Sequence, residues 1–152
     1  MKSKARFLGH PIHQILIIFP LGLLATSFFF DLGWLITGEA ELAIVAQWLI
    51  FAGVIGGAIA SMFGLIDWLA IPRRTRAWRV GAWHGGGNTL VAVLFAASWV
   101  LRRDAPAHPD AIAIVLSALG VLLTILTGWL GSELADRMEE IEVPSPRARG
   151  EG

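Results

Sequence analysis

The chain has 152 residues, 55% of them hydrophobic, with twelve basic residues balanced by twelve acidic ones and a mean hydropathy of +0.65. That apolar surplus is more than a soluble domain of this length can hide, and the zero net charge excludes a nucleic-acid binder driven by bulk charge. Cysteine is absent, which excludes disulfides, thiolate metal sites, iron–sulfur clusters and covalent c-type haem attachment within the chain.

The first element is an uncharged run over 14–30 that continues past Asp31 to Ile36. Lys2, Lys4 and Arg6 precede it, as in a signal peptide. The run is longer than the roughly 7–15 residues of a signal h-region, and no A-x-A site follows, so it reads as a retained span. Uncharged runs over 42–66, 80–101 (His84 aside) and 111–132 follow. Each has the roughly 20 residues that cross about 30 Å of hydrocarbon at about 1.5 Å per residue. The links between them are short, which makes consecutive helices antiparallel neighbours. The expected fold is therefore all-α, an integral membrane up-down four-helix bundle. Its spans lie at about 12–36, 42–71, 80–101 and 111–134, inside a transmembrane domain over about 1–135. Residues 136–152 read as a polar, disordered tail. No internal repeat or low-complexity tract is evident.

Ten of the twelve basic residues fall on one side of this arrangement. They are Lys2, Lys4 and Arg6, then Arg73, Arg74, Arg76 and Arg79, then Arg137, Arg147 and Arg149. Only Arg102 and Arg103 fall on the other. The positive-inside rule gives a multi-pass protein with both termini in the cytoplasm. Tryptophans near the span ends suit an aromatic belt. Small residues mark the faces where helices meet: Gly53, Gly56, Ala60 and Gly64 with Asp67 in span two, and Ser117, Gly120, Thr124, Gly128 and Gly131 in span four.

The polar residues within the spans gather at the expected cytoplasmic end. His10 and His13 open span one, with Pro11 suited to the first helical position. Asp67 ends span two on the small-residue face. His84 and Asn88, one turn apart, begin span three, and Glu133 closes span four. Ionisable groups at membrane depth are costly, so they mark either a site or an internal pair. The plain reading of each is structural: a cap or wetted residue for His10, packing for His13, an ion pair for Asp67, an interhelical hydrogen bond for His84 and snorkelling for Glu133. The arginine run fixes topology and meets anionic lipid.

At these residues the chain resembles a bacterial membrane family of unknown function, the domain of unknown function numbered 2231. The resemblance runs through Arg6-Phe7-Leu8-Gly9-His10-Pro11-Ile12-His13, Phe19-Pro20-Leu21-Gly22-Leu23-Leu24, Gly64-Leu65-Ile66-Asp67-Trp68, Trp83-His84 with Asn88, and Gly128-Trp129-Leu130-Gly131-Ser132-Glu133-Leu134. It covers essentially the whole chain. It implies a four-span protein of the bacterial inner membrane. Some relatives are joined to Rieske or cytochrome-c-like domains, which implies electron transfer and redox partner proteins. Relatives carry His where this chain has Glu133, and often Tyr-Arg-His where it has Ala135-Asp136-Arg137-Met138.

Three functions follow as expectations. One is a redox subunit holding b-type haem on His13 and His84, with Asn88 beside them and Arg79 or Arg76 at the propionates. A second is a divalent-metal or proton site built from His10, His13, Asp67, His84 and Glu133, used in transport or sensing. A third is a membrane scaffold or partner subunit, with a homo-oligomer as one form. No nucleophile–base pattern, phosphate loop or zinc-protease motif points to a hydrolase.

Overall fold

The computed structural model describes the backbone of residues 6–7 and 10–142 and the side chains of residues 12–132. Four long helices make up the fold: α1 (Ile12–Thr37), α2 (Ala40–Leu69), α3 (Arg76–Leu101) and α4 (Ala111–Glu142). Two short strands, β1 (Arg6–Phe7) and β2 (His10–Pro11), pair antiparallel ahead of α1. Pro11 thus stands in β2, just before the helix, rather than at its first position. The backbone of α4 stays helical to Glu142, through the start of the segment read as a tail. Residues 143–152 lie outside the described residues.

All four helices are long and apolar enough to cross a membrane. Their apolar side chains mostly face outward: Ile18, Phe19, Phe29, Trp48, Met62, Trp83, Ile125 and Trp129 are all exposed. In water this would be untenable, and in a bilayer it is the lipid-facing surface. The buried centre is small, formed by Leu24, Ile50, Val91 and Phe95. Gly38, at φ 75°, turns α1 into α2, a backbone conformation that glycine adopts without steric cost. Thr75 caps α3, its hydroxyl accepting from the Trp78 N–H at 3.1 Å.

The helices pack as two hairpins, α1 with α2 and α3 with α4. The hairpins are approximate copies, so the sequence reading of no internal repeat is corrected. The buried positions of α1 are Pro20, Leu24, Ser27 and Asp31. Val91, Phe95 and Ser98 of α3 and its C-cap Arg102 stand at the same intervals. A Cβ added at Gly53 would strike Leu24, and one at Gly120 would strike the equivalent Phe95. Gly64 abuts the His13 ring as Gly131 abuts the His84 ring. Ser27 and Ser98, Gly53 and Gly120, Gly64 and Gly131, and His13 and His84 keep the same residue, whereas Pro20 and Val91, Leu24 and Phe95, and Asp31 and Arg102 differ. The first hairpin also spaces its paired positions by 47 residues and the second by 43, so no single register aligns the halves.

Two seams join the hairpins. The α2–α3 seam is the closer, and α1 and α4 stand further apart. The residue sizes account for this. Leu21, Thr124 and Ile125 line an open cleft of ≈ 280 Å³ between α1 and α4. Ala92, Gly57 and Ala58 hold the equivalent positions of the other seam, and small residues let helices approach.

Candidate functional site

His13 and His84 meet in the middle of the bundle, at the end where α1 and α3 begin. Their ring centroids are 6.5 Å apart and their planes lie at 88°. Each ring is held the same way by the other helix of its own hairpin. His13 Nδ1 lies 2.8 Å from the carbonyl oxygen of Ala60, and His84 Nδ1 lies 2.8 Å from that of Thr127. A carbonyl only accepts, so Nδ1 carries the proton in both rings and the lone pair falls on Nε2. Each accepting carbonyl stands four residues before a glycine, Gly64 or Gly131. A helical side chain tilts back toward the N-terminus and would cover that carbonyl. A Cβ at Gly64 would sit 3.0 Å from the His13 ring, and one at Gly131 would sit 2.8 Å from the His84 ring. The glycines are therefore what admits the imidazoles.

The two rings differ in what holds Nε2. The amide of Asn88 donates to His84 Nε2 at 3.0 Å and also to the His84 carbonyl at 3.0 Å. Thr127, buried, donates its hydroxyl to Asn88 Oδ1 at 3.2 Å. The positions of the first hairpin that correspond to Asn88 and Thr127 are Ile17 and Ala60. The polar network thus belongs to His84 alone.

Of the other sequence candidates, Asp67 is half-buried near the end of α2 and makes an interaction of its own. Arg79 lines a surface pocket with Arg73, Arg74 and Trp78. The side chains of His10 and Glu133 lie outside the described residues. Among the described residues, no three His, Asp or Glu side chains gather as a metal-binding group. In span four, Gly128 has open space around its Cα and lines the α1–α4 cleft. The small-residue face there runs instead through Ser117, Gly120, Thr127 and Gly131.

Sequence reading missed a second polar centre at the opposite end. Arg102 donates to both carboxylate oxygens of Asp31, at 2.6 and 2.7 Å, with both side chains fully buried. Ser117 donates to Asp31 Oδ2 at 3.0 Å, and Arg102 Nε donates to Ser98 Oγ at 3.2 Å. Ser98 in turn donates to the Ala113 carbonyl at 2.7 Å. Arg102 is therefore an internal residue and not a loop cation. The signal was Asp31 itself, a lone carboxylate in an apolar run that had to find a partner at its own depth.

Residues 9–141 match the model of a family described as a predicted membrane protein, DUF2231. The chain belongs to this family. Four spans and a bilayer-facing exterior accord with that description. No curated protein and no solved structure matches the chain.

Proposed function

We propose that this membrane protein is an electron-transfer subunit that binds one b-type haem between His13 and His84. The ring separation carries the reading. Two imidazoles that would share one iron, at about 2 Å per bond, have centroids roughly 6 Å apart, and these stand at 6.5 Å. Both rings are oriented through Nδ1–H bonds to carbonyls, which leaves Nε2 as the nitrogen that would ligate, the usual way a protein aims a ligating histidine. A haem iron takes four bonds from the porphyrin and has two further positions that protein side chains can fill. The described donor set is two imidazoles. A bare divalent ion needs at least one further donor, which the metal-transport alternative would draw from His10 or Glu133, whose side chains lie outside the described residues.

The α1–α4 cleft lies beside the pair, its Gly128 adjoining Thr127, whose carbonyl holds His84; at ≈ 280 Å³, and lined by neither histidine, it would have to widen toward the pair to take a macrocycle. Its Leu21, Ala25, Val121 and Ile125 supply an apolar lining. Asn88 donates to His84 Nε2 and would have to give up that bond for His84 to hold a haem. Bound haem would supply one-electron chemistry between ferric and ferrous iron. The histidine pair would set its position and the bundle would keep water from it.

On this reading the histidine end lies on the cytoplasmic side of a bacterial inner membrane. Support comes from the basic residues, now more asymmetric because Arg102 is internal. The ligation is tested by electron paramagnetic resonance of haem-reconstituted protein. A low-spin six-coordinate ferric signal, converted to high-spin in His13→Ala, is expected. A high-spin signal in the unmodified protein would contradict two histidine ligands.

A further inference from the structure

A second site of different chemistry lies on the loop between α2 and α3. Arg73, Arg74 and Arg79 converge with Trp78 on one open concavity of ≈ 680 Å³, and among the described residues no acidic side chain lines it. The wall is rigid. Trp68 stacks on Trp78 at 5.2 Å between centroids, and its indole N–H donates to the Trp78 carbonyl at 3.0 Å. Thr75 ties the loop to α3 by accepting from Trp78 N–H and donating to the Pro72 carbonyl at 2.8 Å.

The electrostatics of this loop are unfavourable as they stand. The partial positive charge of a helix N-terminus favours acidic residues. The first turn of α3 has none. Arg73, Arg74 and Arg79, gathered at that end, repel one another and the dipole. An anion seated among Arg73, Arg74 and Arg79 relieves both penalties. Guanidinium groups pair with phosphate oxygens two at a time, a geometry that ammonium groups do not offer. The concavity joins two spans at the level of the headgroups, and its tryptophans suit that interface.

We infer that Arg73, Arg74 and Arg79, walled by Trp78, form a binding site for an anionic phosphate group, independently of any ligand on the histidine pair. Such a phosphate comes from the headgroup of an anionic phospholipid or from a soluble phosphate, and the test separates the two. Full-length protein is placed in nanodiscs of phosphatidylcholine with a minor fraction of phosphatidylglycerol. Retained lipid is read by native mass spectrometry. A parallel detergent sample is titrated with inorganic phosphate and followed by thermal unfolding.

Each arginine near an anionic surface is worth about a fivefold factor in binding. The R73Q/R74Q/R79Q variant is therefore expected to lose on the order of a hundredfold preference for phosphatidylglycerol. R103Q, at the opposite end of the bundle, keeps it. R73K/R74K/R79K retains the charge without the planar fork and falls between, which separates the site from bulk attraction and from misfolding. Stabilisation by inorganic phosphate that is lost in the glutamine variant assigns the site to a soluble anion. If the glutamine variant matches the unmodified protein with both probes, the site does not exist.

Discussion

Asp31 and Arg102, 71 positions apart, close a bidentate ion pair with both side chains at 0% exposure. They occupy equivalent positions in the two hairpins, as His13 and His84 do. One like pair and one opposite pair thus join the hairpins across the middle of the bundle, at its two ends. The ion pair is the stronger tie, because each charge is satisfied only by the other hairpin and by Ser98 and Ser117.

Removing one partner strands the other in a dry interior. Asp31→Asn or Arg102→Met alone is expected to cost about 3–5 kcal/mol. Replacing both, with Asp31→Leu and Arg102→Met, leaves no orphaned charge and costs less than either single change. Unfolding of the four proteins in detergent gives the coupling. Additive losses would show that the pair does not join the hairpins.

The glycines beside the histidines make a separate forecast. Gly131→Ala and Gly64→Ala push against the imidazoles and are expected to destabilise by about 1–3 kcal/mol. Gly128→Ala, three residues from Gly131 but facing open space, is expected to be near neutral. Equal melting temperatures for all three would mean that the rings do not lie on these glycines.

For topology, reporter fusions after residue 152 and within the loop between α3 and α4 are expected to report opposite sides, the C-terminus inside. A periplasmic C-terminus would move the histidine pair and the arginine pocket to the outer face.

Much of the architecture was legible because it depends on hydropathy summed over some twenty residues, a signal that survives any single substitution. The approach of His13 and His84 was legible too, from the depth at which each helix begins. The Asp31–Arg102 pair was not. A loop boundary read from charge alone put Arg102 outside the bundle, whereas the guanidinium folds back along α3 to reach the carboxylate. The duplication was hidden for a different reason. The matching residues stand singly, and the hairpins space them by 47 and by 43 residues, so no one offset lines them up. The shared role of Thr127 and Ala60 is carried by a backbone carbonyl, which side-chain identity does not report.

Asn88 tests how ligation would begin. Its amide occupies the lone pair that a metal would take. A net hydrogen bond is worth about 0.5–1.5 kcal/mol, so Asn88→Ala is expected to tighten haem binding by roughly two- to tenfold in a fluorescence-quenching titration. Loss of binding would make Asn88 a necessary support and contradict the exchange.

The central claim rests on the histidine pair, and the visible absorption spectrum of purified protein titrated with haem tests it most directly. The account predicts a stoichiometric Soret band and, on reduction, the resolved α and β bands of a six-coordinate b-type haem. Those bands should be absent in His84→Ala and in His13→Ala, and unchanged in His108→Ala, whose side chain is exposed in the α3–α4 loop. A spectrum of free haem in the unmodified protein, or bands that survive both histidine substitutions, would contradict it.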